Sequence, residues 1–245
     1  KANDLMRSVG FGMMGHHGFI AEKYITFGSA EDIDLLDVFF NSVNYHTLKF
    51  SMEMAKETGS KFYEFEDSHY ADGSYFDTRG EILPKTDMVK DIFADIDLPT
   101  EDDWVKLRAD VMEHGLYHAY RMAIAPNGSS GYVMSATPSM TPIKQLIEER
   151  TYGNSKTYYP MPGAEEFGFM YEDMYMMNKF HIIDAIATVQ RHVDQGISLE
   201  LGVSSDVTTR ELQRYWLYAQ HKGIKTLYYT RTRKMSVDEC LACQV

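Results

Sequence analysis

The chain has 245 residues, is 44% hydrophobic and 13% aromatic, and carries a formal net charge of −12. Those proportions are globular and provide for a sizeable core, in one large domain or two small ones, while the acidic balance excludes a surface built to coat nucleic acid. No apolar run approaches the ~20 residues that span a bilayer, the first residues lack the regions of a secretory leader, and with only two cysteines a reducing, cytoplasmic setting is expected.

The chain opens on Lys1, and Asp4-Leu5-Met6-Arg7-Ser8-Val9-Gly10-Phe11-Gly12 reads as the middle of something: a fragment, a processed product or the second half of a split protein. Residues 5–25 mix glycine with apolar groups. Glycine weakens a helix, so this stretch is read as one that another backbone approaches closely. His16 and His17 are expected to be packed or surface residues rather than ligands. The 16 methionines are read as fillers of irregular core.

Ser29 to Gly59 is the clearest helix. Ser29 and Asp32 resemble a capping box. Leu35, Leu36, Phe39, Phe40, Val43 and Leu48 form an apolar stripe, and Gly59 is the stop. Residues 60–100 are irregular and acidic, with turn signals at Asp72-Gly73 and Leu83-Pro84, and are expected to form a surface excursion. A helix from about Thr100 to His114 has Thr100 as N-cap. Tyr117 to Ala125 is predicted as a short buried strand and 126–142 as a loop region. Tyr158-Tyr159-Pro160-Met161-Pro162 should be extended. Tyr171 to His192 is predicted as a second long helix, Ile197 to Val203 as a strand, Thr208 to Lys222 as a helix and Ile224 to Tyr229 as a strand. Strand, helix and strand suggest a right-handed crossover unit. The segment from Thr230 is polar and expected to be mobile. No internal repeat is visible.

Four constellations bear on chemistry. In Ala125-Pro126-Asn127-Gly128-Ser129-Ser130-Gly131-Tyr132 an apolar strand enters a Gly/Ser turn. If a helix begins near Ser129, its free N–H groups and dipole suit a phosphate. The lysine of G-K-[ST] is missing, so this is not a Walker loop, and a plain loop is the simpler account. In Lys225-Thr226-Leu227-Tyr228-Tyr229 adjacent tyrosines on a regular strand point to opposite faces. They suit a redox relay, because a phenol loses an electron and a proton together, or ordinary strand packing. Cys240-Leu241-Ala242-Cys243 closes and reopens a disulfide readily, and the alternatives are half a zinc site or incidental thiols. His192-Val193-Asp194-Gln195-Gly196-Ile197-Ser198 is explained by helix capping, and Glu165 to Asp173 by a solvated face.

In this order the motifs resemble the C-terminal third of the large, catalytic subunit of class I ribonucleotide reductase. Pro126-Asn127-Gly128-Ser129-Ser130-Gly131-Tyr132 is similar to the family's P-T-G-S-x-S-Y substrate motif, with Asn127 in place of Thr and Gly131 in place of a second Ser. Lys225-Thr226-Leu227-Tyr228-Tyr229 matches K-T-L-Y-Y, Asp194-Gln195-Gly196-Ile197-Ser198 resembles D-Q-[SG]-[IL]-S, and Cys240/Cys243 resembles the tail thiol pair, at the spacing of subclass Ib. The resemblance runs from Gly10 onward.

It implies an α/β fold, the C-terminal part of a ten-stranded α/β barrel with surrounding helices over 1–229 and a flexible redox-active tail over 230–245. It implies that Pro126, Asn127, Gly128, Ser129 and Ser130 bind the diphosphate of a ribonucleoside diphosphate. Tyr228 and Tyr229 would relay a radical from a metal-containing small subunit, this chain itself binding no cofactor or metal. Cys240 and Cys243 would pass electrons from a thioredoxin- or glutaredoxin-like reductant. The thiyl cysteine and the reducing pair inside the barrel have no counterpart before residue 240, so they are expected on a missing N-terminal part, and the chain is not expected to be active alone. The rival expectation is an inactive fragment that binds the small subunit or nucleotide. Neither membrane nor nucleic acid is an expected partner.

Overall fold

A computed structural model describes residues 2–234, so the cysteine pair at Cys240 and Cys243 lies outside the described residues. In chain order the elements begin with α1 (Ala2–Met6), α2 (His16–Glu22) and α3 (Ala30–Thr58). After 3₁₀ turns at Phe65–Asp67 and Ser74–Thr78 come α4 (Asp87–Ile92), α5 (Glu101–His114) and α6 (Gly128–Val133). The hairpin strands β1 (Ile147–Tyr152) and β2 (Ser155–Pro160) follow, then α7 (Ala164–Phe167), a 3₁₀ turn at Gly168–Met170 and α8 (Lys179–Gln190). The last elements are β3 (Leu199–Ser204), α9 (Thr209–His221) and β4 (Leu227–Arg233). The fold is mixed α/β. The described strands form two two-stranded sheets, antiparallel β1–β2 and parallel β3–β4, and no closed barrel.

The residues group into two compact units. The first comprises 2–12, 33–123 and 191–195, and the second 13–32, 124–190 and 196–234. In the first, Tyr45, Leu48 and Met52 of α3 pack with Trp104, Leu107 and Val111 of α5 and with Phe62, Phe65, Phe76 and Leu116. Each such side chain, removed from water, contributes about 1.5–3 kcal/mol. Residues 60–100 are therefore no mere surface excursion: Phe65, Phe76, Val89 and Phe93 are buried, because short 3₁₀ and α turns bring isolated aromatics inward between acidic ones.

Acids on α3 organise what packs against it. Asp34 accepts the Lys85 and Thr86 N–H groups at 2.8 and 2.7 Å, and so fixes the approach to α4. Asp37 meets Arg191 and His192, each at 2.8 Å. Burial alone raises the Asp37 pKa, but the His192 hydrogen bond and the Arg191 charge hold it below the usual carboxylate range. The polar junction read as plain capping is thus also tied down through the Asp37 carboxylate, which the exposed Arg191 and the buried His192 both meet.

The α5 start carries a full capping box, Thr100 with Asp103. At α3 the box is displaced. Ser29 accepts the Asp32 N–H at 3.3 Å, but the Asp32 carboxylate reaches back to the Gly28 N–H at 2.7 Å and to His16 Nε2 at 2.8 Å. In the glycine-rich stretch it is side chains, not another backbone, that come close: a Cβ on Gly18 would lie 3.3 Å from the Tyr171 hydroxyl oxygen and 3.4 Å from the Thr137 methyl.

The predicted helix from Tyr171 begins only at Lys179. Asp173 accepts the N–H groups of Tyr175 and Met176, a turn that competes with a helix. The Lys179 ammonium then takes the carbonyls of Met174, Tyr175 and Met177 at 2.6–2.8 Å, so these carbonyls have no need of a preceding helical turn. The predicted strand over 117–125 is reduced to single bridges, Phe11 with Met122 and Ile124 with Ile197. The last strand is shifted to Leu227–Arg233, so Thr230 to Arg233, expected to begin the mobile segment, pair with Leu201 to Ser204. Arg231 and Arg233 anchor them on Glu200 and Asp173. The crossover unit β3–α9–β4 is present, its helix capped by Thr208 and Glu211.

His17, packed between Phe27 and Tyr171, accepts the Ile143 N–H on Nδ1 at 3.1 Å. Burial and the neighbouring His16 push its pKa down to about 3. Unfolded, this imidazole protonates below about pH 6.5; folded, it stays neutral until far lower pH. Its contribution is therefore complete above about pH 6.5 and is lost as pH falls towards 3. By pH 5 the loss is about 2 kcal/mol. We expect His17→Gln, which keeps an acceptor for Ile143, to flatten the pH 7 to pH 5 stability difference by that amount in chemical denaturation. An unchanged slope would refute the assignment.

Candidate functional site

The turn at 125–131 is built by its own backbone. The Asn127 N–H bonds the Ala125 carbonyl at 3.1 Å, and the Asn127 carbonyl accepts the Gly131 N–H at 2.9 Å, the first helical bond of α6. The N–H groups of Gly128, Ser129 and Ser130 precede that ladder. Both departures from the expected motif have structural counterparts. Asn127 Oδ1 accepts the Ser139 N–H at 2.7 Å, stitching the turn to the loop that follows α6. Gly131 is buried, and a Cβ there would lie 2.9 Å from the Ala136 carbonyl oxygen, so a serine would displace backbone.

The tyrosines of β4 do not point to opposite faces. Leu199 pairs with Leu227 but Glu200 pairs with Tyr229, so Tyr228 is an extra, unpaired residue on β4. Such a bulge breaks the two-residue alternation of a strand. The rings of Tyr228 and Tyr229 consequently sit edge to face with centroids 4.2 Å apart. Their mutual hydrogen bond raises the Tyr228 pKa. Arg231 lies over the Tyr229 ring, its guanidinium carbon 4.8 Å from the centroid.

A cleft of about 300 Å³ brings the two constellations together: Pro126, Gly128 and Ser129 line it, and so do Tyr228 and Tyr229. Asn127 and Ser130 are not among its lining residues; Asn127 acts through Ser139, which is. Glu200, buried, is held between Lys144 and Arg231, each at 2.9 Å. Burial raises its pKa, yet the hydrogen bonds from Arg231 and Lys144 outweigh that and keep it ionised below the usual range.

The β1–β2 hairpin adds residues that the motifs did not indicate. Arg150 donates to the Tyr132 hydroxyl from Nη2 at 2.8 Å, and a Cβ on Gly128 would lie 3.5 Å from the same nitrogen. A cation thus reaches the Gly/Ser turn from a strand, although the turn's own sequence has none. The Tyr132 hydroxyl also bonds the buried Glu148 carboxylate, and its ring stacks on Tyr159 at 4.4 Å. Burial and Glu148 push its pKa up to about 12. The sequence signal for this hairpin was Gly153-Asn154 between Tyr152 and Ser155, a two-residue turn with Gly153 at φ +60°. Glu165 and Glu166 are exposed, as a solvated face requires, whereas Asp173 is paired with Arg233 at 3.1 Å. Among the described residues no group of three or more His, Cys, Asp or Glu side chains is arranged to hold a metal ion. No helix among them is long and apolar enough to cross a membrane.

Comparison with known proteins matches residues 1–230 to the family described as ribonucleotide reductase, barrel domain. The ribonucleoside-diphosphate reductase NrdEB subunit alpha of Bacillus subtilis is 50% identical over all of this chain and 23% of its own length. A second Bacillus subtilis protein, ribonucleoside-diphosphate reductase subunit alpha, is 48% identical over all of this chain and 35% of its own length. The subunit alpha of Mycoplasma pneumoniae is 36% identical, with 37% of its length covered. The chain thus spans about a quarter to a third of these relatives.

Proposed function

The chain belongs to the ribonucleotide reductase barrel-domain family, and on that premise we propose that it is the C-terminal portion of a class Ib ribonucleoside-diphosphate reductase alpha subunit. In this reading its described residues contribute the last strands and helices of a ten-stranded α/β barrel, and the residues beyond β4 form a redox-active tail. The turn Pro126 to Ser130 holds the diphosphate of a ribonucleoside diphosphate, with Arg150 supplying positive charge. Tyr228 and Tyr229 carry a radical delivered by a metal-containing small subunit towards a catalytic cysteine outside residues 1–245. Cys240 and Cys243 return electrons from a thioredoxin- or glutaredoxin-like protein by thiol–disulfide exchange. One observation carries the reading: a single cleft is lined by both the Gly/Ser turn and the tyrosine pair. A relay that ends beside the substrate's phosphate turn is what radical attack on that substrate needs.

The experiment is Ser129→Asp in the full-length alpha subunit that carries this segment, assayed with its small subunit. A carboxylate placed at the turn repels the diphosphate. The KM for cytidine diphosphate is expected to rise about a hundredfold, a loss of about 3 kcal/mol in binding, and inhibition by inorganic pyrophosphate is expected to weaken in parallel. Unchanged KM and unchanged pyrophosphate inhibition would reject the turn as the diphosphate site.

A further inference from the structure

Ser139 lies outside the Gly/Ser turn and outside the tyrosine strand, yet it combines three features that folding alone does not explain. Its backbone is left-handed, at φ +55°, a region that side-chain-bearing L residues rarely adopt. Its side-chain hydroxyl is buried and has no hydrogen-bond partner among the described residues, although Ser139 as a whole is only 4% exposed. It also lines the cleft that Gly128, Ser129 and Arg150 line. A glycine at this position would relieve the backbone and remove the unpaired oxygen together. Strain of this kind, kept at a cleft wall, points to a ligand.

What holds Ser139 in place is Asn127, whose Oδ1 accepts its N–H at 2.7 Å. The residue that departs from the expected turn motif thereby fixes the loop opposite in a defined position. Ser139 is flanked by the buried Met140 and preceded by Pro138, so the backbone on either side has little freedom. The surroundings select the ligand's chemistry. The turn's N–H groups and the Arg150 guanidinium favour an anion with several acceptor oxygens, and a serine hydroxyl donates to such an oxygen.

We propose that the Ser139 hydroxyl is a further substrate-binding group, donating to a phosphate oxygen of the nucleoside diphosphate held at the 126–130 turn. This rests on the reading of that turn as the diphosphate site.

Ser139→Ala and Ser139→Gly in the full-length alpha subunit test it, with cytidine diphosphate as substrate and inorganic pyrophosphate as competitor. Alanine keeps the Cβ and therefore the backbone strain; glycine removes both. Both variants are expected to raise the KM for cytidine diphosphate and the pyrophosphate inhibition constant about tenfold, with kcat at saturating substrate within about twofold of the parent. Ser139→Gly is expected to do so while raising the thermal midpoint, which a purely structural serine would not combine with lost affinity. If both variants keep the parent's KM and inhibition constant while Ser129→Asp loses them, the inference is overturned and the turn assignment stands. If Ser129→Asp is silent as well, both fall together.

Discussion

Tyr229→Phe is expected to lower deoxynucleotide formation by the assembled reductase about a thousandfold or more, equivalent to about 4 kcal/mol or more on the barrier, while cytidine diphosphate still binds. The argument is chemical before it is structural. In the proposed relay, the phenol of one tyrosine gives an electron and a proton to the phenoxyl of the other, so one O–H bond breaks as another forms and the radical moves by one residue. Phenylalanine has no O–H to give. The two rings are adjacent, with centroids 4.2 Å apart, and the bulge at Tyr228 is what brings them together. The substitution leaves packing almost untouched, because Tyr229 is 46% exposed and its ring can stay under Arg231. Tyr228→Phe should match it. The check is turnover measured beside equilibrium binding of cytidine diphosphate. Turnover within tenfold of the parent in both variants would remove the pair from the radical path.

The same pair shows how far the sequence could be read. Residue order identified the tyrosines, but strict alternation put them on opposite faces, because a bulge is a register property set by two strands at once. The helices α3, α5 and α9 were legible because their caps and apolar spacing are local: Thr100 with Asp103 is the plainest case. The helix predicted from Tyr171 failed through a side chain that follows the segment, since Lys179 claims the carbonyls of Met174, Tyr175 and Met177. In the cleft, Pro126, Gly128 and Ser129 carried a motif. Arg150, Glu148 and Glu200 carried none, because the partners that bring them into the cleft, Tyr132 for the first two and Arg231 for the third, are distant in sequence. Asn127 and Gly131 counted as departures from a pattern. Their contacts, with the Ser139 N–H and the Ala136 carbonyl, exist only once the loop folds back.

Asp194 was likewise assigned to capping, and here the energetic consequence is large. Arg121 is 2% exposed, and its guanidinium is shared among the Asn44 side chain at 3.2 Å, Thr47 at 3.1 Å, the Tyr70 hydroxyl at 3.2 Å and the Asp194 carboxylate at 3.2 Å. Asp194 also accepts the backbone N–H groups of Arg121 and Met122 at 2.8 and 3.0 Å. It is the only full negative charge in that set, the other partners being neutral. Asp194→Ala would leave a buried guanidinium uncompensated and two backbone donors without their carboxylate, and is expected to cost about 3–5 kcal/mol. Asp194→Asn keeps an acceptor but not the charge, and should cost less. The decisive comparison is the pair: Arg121→Met removes the stranded charge, so Asp194→Ala with Arg121→Met should be more stable than Asp194→Ala alone by about 1 kcal/mol or more. Urea denaturation of the three variants measures the cycle. If the double variant is instead the least stable, with the two losses simply adding, Arg121 is not held by Asp194's charge. The junction at 191–195 would then owe its position to its other contacts, among them Asp37 on Arg191 and His192 and Arg79 on the Arg191 carbonyl.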